Sequence, residues 1–159
     1  MDVRIRRAGL HDAALICDFI RELAEYERLA GECQATPEAV AMPLFAANPR
    51  VFCEIVEWQG TPAGFALWFY SYSTFQAKHG IYLEDLYVRP QFRGRGFGKA
   101  MMVELARRAL SESCGRFEWS VLDWNEPSIA FYKSLGARAI KDWTAFRLEG
   151  DALRKVAAE

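Results

Sequence analysis

The sequence predicts a single domain of the mixed α/β class, in which helices pack against a mostly antiparallel sheet. Three observations support this prediction. The chain has 159 residues, the length of one ordinary domain, and 52% of them are hydrophobic, which allows one sizeable core. Segments with helical periodicity alternate with segments rich in β-branched and aromatic residues. Because no repeat, low-complexity tract or linker interrupts the sequence, the domain is predicted to span residues 1–159.

Composition argues against several classes of protein. Charged residues make up 26% of the chain and the net charge is -1, a balance that argues against a nucleic-acid partner. The N-terminal residues lack the apolar core of a secretory signal, and no run approaches the roughly 18 apolar residues of a membrane span. The four cysteines are scattered without a CxxC pair, so neither a metal site nor a disulfide framework is predicted. The resulting expectation is a cytoplasmic protein with no membrane partner.

The N-terminal part of the chain is predicted to form a strand and two helices. Apolar residues alternate with arginines over residues 3–6, which favours a short strand. The first helix is predicted to begin at Asp12, with apolar residues at the spacing of one buried face, namely Ile16, Phe19, Ile20 and Leu23. The second is predicted to begin at Thr36, an N-cap followed by proline, and to end at Pro43 or Pro49.

The middle of the chain is predicted to form an antiparallel meander of three strands. These segments are rich in β-branched and aromatic residues, and they span residues 51–58, 64–72 and 81–88. After a glycine-rich loop, a third helix is predicted, with one apolar side formed by Phe97, Met101, Leu105 and Ala109.

The C-terminal part is predicted to add a strand at residues 117–122 and a short helix that Asn125 caps and Gly136 ends. A final strand pair is predicted near residues 138–140 and 143–148, and a short tail follows it. These elements complete the mixed α/β pattern.

The glycine-rich loop, QFRGRGFGK at residues 91–99, indicates a ligand that approaches the backbone closely. It does not fit a Walker A loop, because Arg93 replaces the first glycine and Ala100 replaces the hydroxyl residue. It does not fit the dinucleotide fingerprint either, because Lys99 replaces the last glycine. What remains is R-x-x-G-x-G ahead of a helix, whose N-terminal amides and partial positive charge suit a pyrophosphate. The alternative is a turn that is rich in glycine for steric reasons alone.

At this loop the sequence resembles the GNAT superfamily of N-acetyltransferases, and more narrowly the spermidine/spermine (diamine) and thialysine N-acetyltransferases. The resemblance extends through most of the chain and includes RELAEYE at 21–27, YLEDLYV at 82–88 and WNEPSIAFYK at 124–133. It implies a mixed, mostly antiparallel sheet splayed at the acetyl-CoA strand, with helices on both faces. It also implies acetyl-CoA as cosubstrate, a small-molecule amine as substrate, and a homodimer.

The resemblance implies an acetyl-CoA site along the strand that ends at Val88 and along the glycine-rich loop. The residues implied are Leu86, Tyr87, Val88, Arg93, Gly94, Arg95, Gly96, Phe97, Gly98, Lys99, Asn125 and Ser128. Asn125 has an alternative task, because its side chain also suits the cap of the following helix.

Two residues are candidates for acid–base catalysis by direct attack of the amine. Glu84 is the candidate acceptor of the amine's proton, directly or through water, because the resemblance implies that it lies near that amine. Tyr132 is the candidate general acid, because it matches the family's catalytic tyrosine and a phenol with a pKa of about 10 stays protonated at neutral pH. The alternatives are an exposed charge on a strand for Glu84 and ordinary core packing for Tyr132.

Glu27, Glu84 and Asp85 are the candidate ligands of a cationic amine. Adjacent strand residues face opposite sides, so Glu84 and Asp85 share one cleft only if the strand bulges there. Polyamines and thialysine- or lysine-like amino acids both remain possible substrates. The segment at 142–147 is less acidic than its counterpart in the diamine enzymes.

Two other functions fit the same sequence features. One is acetylation of a protein lysine or N-terminus, which needs an open groove for a peptide. The other is a sensor that binds acyl-CoA without catalysis, and the presence of both Glu84 and Tyr132 argues against it.

Overall fold

The computed structural model describes residues 3–159, and the two preceding residues of the predicted domain lie outside the described part. Within it, the sheet has five strands in the order β1-β2-β3-β4-β5. Neighbours are antiparallel from β1 to β4, and β5 joins β4 in parallel. The strands are β1 (Val3–Arg7), β2 (Phe52–Trp58), β3 (Thr61–Ser73), β4 (Lys78–Val88) and β5 (Phe117–Trp119).

The α-helices lie between β1 and β2, between β4 and β5, and after β5. They are α1 (Ala13–Tyr26), α2 (Pro37–Phe45), α3 (Phe97–Ser111), α4 (Glu126–Ser134) and α5 (Gly150–Ala157). The Thr36 side chain accepts a hydrogen bond from the Ala39 amide and caps α2 as predicted. Gly136 follows α4 with φ of +88° and confirms the predicted end of that helix.

The residues that the structure describes divide into two compact units, one that ends at Leu122 and one that spans Asp123–Glu159. The first contains the whole sheet with α1, α2 and α3, and the second contains α4 and α5. The prediction of a single domain over the whole chain stays a prediction.

The core of the first unit lies on both faces of the sheet, which confirms the predicted arrangement of helices. On one face, Phe19 of α1 stacks on Phe65 of β3 at 5.3 Å between ring centroids. On the other face, α3 packs with its predicted apolar side, and Met101 and Leu105 are fully buried. The sheet therefore holds α1 and α3 on opposite sides of β4.

Several predicted element boundaries are wrong. Residues 138–140 and 143–148 form no strands within residues 3–159, and α5 replaces the predicted tail. A strand needs a neighbouring strand for its backbone hydrogen bonds, and the apolar side chains of this segment are instead exposed: Ile140, Trp143, Phe146 and Leu148. The fifth strand ends at Trp119 rather than at residue 122, and Pro43 lies inside α2 instead of ending it.

Candidate active site

The candidate site begins at a bulge in β4. Leu67 of β3 pairs with Asp85, whereas the next residue, Trp68, pairs with Leu83. Glu84 is therefore the extra residue of β4, without a partner in this register. Tyr82 and Asp85, which a regular strand would turn to opposite faces, both lie on the face of Phe69 and Leu67, so the bulge that a shared cleft requires is present, and the charge of Glu84 acts on Asp85.

This face of β4 is also the face on which α1 packs. Phe65 and Tyr87, the next pair on this face of the sheet, contact Phe19 of α1. Glu27 follows the last residue of α1, and its charge acts on Asp85. The structure therefore brings together Glu27, Glu84 and Asp85, the acidic cluster that the sequence singled out as amine ligands.

Among the residues that the structure describes, no cation balances the negative charge of the acidic cluster. Burial, and then the charges of Glu84 and Glu27, raise the pKa of Asp85 to about 7. Burial also raises the pKa of Glu27. Within residues 3–159, no hydrogen bond or ion pair to a basic group involves these three carboxylates. Such an uncompensated cluster attracts a cation from solution.

A rigid connection between α1 and β4 positions the acidic cluster. Arg89, directly after β4, forms a forked ion pair with Glu22 of α1, with its Nη2 2.8 Å from one oxygen and its Nε 3.0 Å from the other. The Arg89 guanidinium also lies 4.6 Å from the centre of the Phe19 ring. Because fork-shaped pairs fix both distance and angle, the end of α1 is held over β4.

Beyond the bulge, the edge of β4 that faces away from β3 offers backbone N–H donors. The Arg89 amide donates to the Ala63 carbonyl of β3 at 2.9 Å, so strand alternation directs the amides of Leu86 and Val88 away from β3. The pairing of β4 with β5 ends at Leu83 within the described part of the chain. These two amides therefore face the opening where the strands separate, whereas the amide of Tyr87 faces β3.

The glycine-rich loop leads from this opening into α3. Gly94 and Gly96 have positive φ angles of +73° and +82°, which only glycine adopts without strain. A Cβ built on either glycine would meet nothing within 4 Å, so the space over the loop is open. Phe97, Gly98 and Lys99 form the first turn of α3, whose amides have no acceptor within the helix. This geometry suits a phosphate group.

The basic residues of the loop have different surroundings. The Nε–H of Arg93 donates to the Val88 carbonyl at 2.8 Å, and its guanidinium lies over the rings of Tyr26 and Tyr87. The Arg95 guanidinium lies 4.4 Å from the centre of the Trp58 ring. Lys99 is exposed on the first turn of α3. Arg93 thus connects the loop to both β4 and α1.

The remaining predicted site residues belong to the second unit. Asn125 is buried, and its side chain accepts a hydrogen bond from the Ser128 amide at 3.3 Å. The structure therefore assigns to Asn125 the capping task that the sequence left as an alternative. Tyr132 lies half-buried on α4, with its ring 5.2 Å from that of Phe131.

Sequence reasoning missed the residues that hold the acidic cluster in place. They are Glu22, Tyr26 and Arg89, which connect α1, β4 and the loop. Two of them lie in the RELAEYE segment, where Glu22 follows the helix face of Phe19 by three residues. The Arg89 partnership joins residues 67 positions apart, which no local pattern indicates.

The part of the chain from residue 3 onward contains neither a metal-binding cluster nor a membrane-spanning helix. No set of three or more His, Cys, Asp or Glu side chains there is arranged to hold a metal ion. No helix there has the length and apolar character to span a membrane.

Comparison with known proteins shows similarity to acetyltransferases. The model of the acetyltransferase (GNAT) family matches residues 16–137, across both units. Thialysine N-epsilon-acetyltransferase of Sus scrofa is 39% identical over 99% of this chain and 98% of its own length. L-ornithine N5-acetyltransferase NATA1 of Arabidopsis thaliana is 45% identical over 96% of this chain and 87% of its own.

A solved structure has the same fold. The integron cassette protein VCH_CASS6, from the mobile metagenome of V. cholerae, superposes with a TM-score of 0.85 and 27% sequence identity. The match covers 100% of this chain and 99% of that one.

Proposed function

The chain belongs to the acetyltransferase (GNAT) family and is an N-acetyltransferase, and on that premise we propose that it acetylates the terminal primary amine of a small molecule held by the acidic cluster. GNAT enzymes use acetyl-CoA as cosubstrate, which supplies the acetyl group as a thioester. The amine attacks this thioester directly. The observation that carries the proposal is the set of unpaired carboxylates at the β4 bulge and the end of α1.

The acidic cluster suits a cationic amine for an energetic reason. A lysine-like amine has a pKa of about 10.4, so exposing its lone pair at pH 7 costs about 4–5 kcal/mol. Carboxylates that bind the ammonium group and then take its proton lower this barrier. Glu84, the exposed member of the cluster, is the group that meets the ammonium, directly or through water.

The splayed edge of β4 suits the acetyl end of acetyl-CoA. The amides of Leu86 and Val88 face the opening, and one donor aimed at the developing oxyanion is worth roughly 3 kcal/mol. The proposed ligands of the phosphates are the backbone from Gly94 to Gly98 and the side chains of Arg95 and Lys99. Arg93 acts mainly by shaping the loop, because its side chain is occupied by Val88, Tyr26 and Tyr87.

The second unit is proposed to supply the acid. Tyr132 gives its hydroxyl proton to the departing thiolate, a role supported by the match of WNEPSIAFYK to the family's motif. Asn125 and Ser128 form the capped start of the helix that carries Tyr132. They contribute by fixing that helix and by contact with the pantetheine arm.

The proposed substrate is an α-amino acid with a terminal side-chain amine. The two curated relatives act, by their names, on thialysine and on L-ornithine, which share this chemistry. Polyamines are the second candidate, because three clustered carboxylates also suit a substrate with several positive charges.

The proposal also includes the oligomeric state, the domain organisation and the cellular location of the protein. The exposed apolar side chains of Trp143, Phe146 and Leu148, together with the family resemblance, support a homodimer, and the size of the protein in solution tests this. The family match over residues 16–137, across both units, and the relative that covers 99% of the chain support one catalytic domain over the whole chain. A cytoplasmic location agrees with the need for acetyl-CoA.

Kinetics of Glu27→Gln test the proposed function. The variant removes one negative charge from the acidic cluster, so we expect the KM for L-ornithine or lysine to rise about 5- to 30-fold, with the KM for acetyl-CoA unchanged. Glu32→Gln, an exposed residue outside the cluster, is the matched control. Equal amine KM values in the two variants would remove the cluster from the proposal.

A further inference from the structure

We infer that the rings of Phe69 and Tyr82 determine which amines the protein accepts, because they hold the methylene stem of a linear substrate whose terminal ammonium group lies at the acidic cluster. The inference rests on the proposed function and adds the shape of the substrate to it. These two rings form an aromatic wall on β3 and β4, beside the residues that carry charge.

The aromatic wall lies directly beside the acidic cluster, on the same face of the sheet. Phe65, Leu67 and Phe69 alternate along β3, so their side chains share the face on which Asp85 lies. Leu67 pairs with Asp85, and the next pair on this face toward the turn between β3 and β4 is Phe69 with Tyr82. The centroids of these two rings are 5.2 Å apart and their planes are tilted by 31°. An ammonium group at the acidic cluster therefore has an apolar surface next to it on this side.

The opposite side of the acidic cluster is closed by α1. Phe65 and Tyr87 form the neighbouring pair in that direction, and both contact the Phe19 ring of α1. Phe65 and Tyr87 are buried. Phe69 and Tyr82 are half-buried, so part of each ring is available to a ligand. A stem that extends along this face from the cluster therefore runs over the aromatic wall, where its methylene groups are removed from water.

A hydrogen bond at the place where β4 and β5 separate fixes the position of Tyr82. The hydroxyl oxygens of Tyr82 and Ser120 are 2.8 Å apart. In the described part of the chain, β4 and β5 pair up to Leu83 and Trp119, so Ser120 directly follows the last pair. The ring of Tyr82 is thus held by Phe69 at one end and by Ser120 at the other. A ring that is already fixed loses little freedom when a ligand packs against it.

The combination of carboxylates and aromatic rings suits an alkylammonium chain. Carboxylates bind its charged end, whereas ring faces attract a cation and also pack against methylene groups. A hydroxyl group on the stem would lose its hydration against the rings. The substrate class is therefore a primary amine on an unbranched, unsubstituted chain, such as the side chain of L-ornithine or L-lysine.

The test compares kcat/KM for L-lysine with that for L-2,4-diaminobutyrate, whose side chain is two methylenes shorter. Each methylene buried against the rings is worth roughly 4-fold, so we expect a ratio of about 15 in wild type. Phe69→Ala should lower this ratio by about 4-fold or more, because one ring of the wall is gone. Phe75→Ala, at a 97% exposed position in the turn between β3 and β4, is the matched control and should leave the ratio unchanged.

The ratio distinguishes a specificity role from a structural one. Both substrates meet the same preparation of each variant, so a loss of folded protein lowers both values and cancels. If the protein turns over diamines instead of amino acids, pentane-1,5-diamine and propane-1,3-diamine replace them, since they differ by the same two methylenes.

Tyr82→Phe and Ser120→Ala test the hydrogen bond that holds the wall. Both variants keep the two rings and lose only the bond between the hydroxyls. Each should lower the ratio by a smaller factor, about 2-fold, and the double variant should lower it no further, because the two residues act through one bond. Effects that multiply in the double variant would show that this bond does not position the ring.

Two different failures are distinguishable. If wild type acetylates a small amine and Phe69→Ala keeps the wild-type ratio, the stem does not lie on the aromatic wall and the inference is wrong. A wild-type ratio near 1, or an equal loss in Phe75→Ala, also overturns it. If wild type turns over no small amine, the proposed function itself fails.

Discussion

At the scale of single residues, the protein keeps a half-buried carboxylate at Asp85 at a cost in stability. Its pKa of about 7 in the folded state lies above the ordinary value of 3.8. Between these pH values the folded chain binds more protons than the unfolded chain, so the free energy of unfolding falls as pH rises. The cost is fully present above pH 7 and absent below about pH 4.

Asp85→Asn is therefore expected to stabilise the fold in a pH-dependent way. At pH 8 the variant should gain a few kcal/mol, up to roughly 4, in the free energy of unfolding, because three pKa units correspond to about 4 kcal/mol. At pH 4 the gain should be close to zero. Urea denaturation at both pH values measures the difference in the free energy of unfolding. An equal gain at both pH values would show that the charge of Asp85 does not destabilise the fold.

Tyr132→Phe tests the proposed general acid. Removal of the hydroxyl leaves the thiolate without its proton donor, so kcat should fall at least 10-fold, about 1.4 kcal/mol, while the KM for acetyl-CoA stays similar. Tyr72→Phe, on an exposed position of β3, is the matched control. A kcat equal to that of the control would assign Tyr132 to packing.

The sequence predicts which residues are candidates for the site more readily than it predicts the backbone geometry around them. Residue type and family motif alone single out Glu27, Glu84 and Asp85 as candidates, and their role as amine ligands stays a prediction. The bulge at Glu84 leaves no mark in the strand's composition, because a single extra residue changes only the pairing with β3. The capping task of Asn125 was readable because it depends on neighbours within three residues.

At the scale of elements, the close contact of β3 with β4 determines where the amides of Leu86 and Val88 lie. A methyl group on Gly64 would collide with the Tyr87 carbonyl and approach the Cα of Val88 to 3.0 Å. Both obstacles are backbone atoms, which do not move aside without moving β4.

Gly64→Ala is expected to lower stability and acetyl-CoA binding together. We expect a loss of about 1–3 kcal/mol in the free energy of unfolding, and a several-fold higher KM for acetyl-CoA because β4 shifts. Gly31→Ala, where a Cβ meets nothing within 4 Å, is the matched control. Wild-type values for Gly64→Ala would contradict the close strand contact.

Arg93→Ala tests the connection between the glycine-rich loop and α1. Loss of the contacts with Val88 and Tyr26 frees both the loop and the helix end beside Glu27. The KM values for acetyl-CoA and for the amine should therefore both rise, about 5-fold or more. Lys99→Ala should raise only the KM for acetyl-CoA, because Lys99 is exposed; identical kinetic patterns in the two variants would argue against the connection.

Element prediction succeeded where the signal was local. The start of α2 and the end of α4 follow from a cap, a proline and a glycine. The predicted strands at residues 138–140 and 143–148 failed, because alternation of residues gives a strand only when another strand supplies the hydrogen bonds.

At the scale of the whole molecule, the fold separates two strands at the place where we propose the site. β4 and β5 pair only from Ile81 to Leu83 in the described part of the chain, and beyond this point β4 has donors on one edge and the acidic cluster on one face. Under the proposed function, the thioester and the cationic amine bind at this same strand. The family resemblance predicted this splay, whereas composition alone predicted only a mixed α/β domain.

The most direct test of the account is identification of the product by mass spectrometry, together with thiol release from acetyl-CoA. The amines are L-ornithine, lysine, thialysine, putrescine, spermidine, spermine and a lysine-containing peptide, each with wild type, Glu84→Gln and Glu32→Gln. We predict one acetyl group on the terminal amine of a small substrate, with kcat/KM reduced at least 10-fold in Glu84→Gln and unchanged in Glu32→Gln. Acetylation of the peptide alone, or acetyl-CoA binding without turnover of any small amine, would contradict the account.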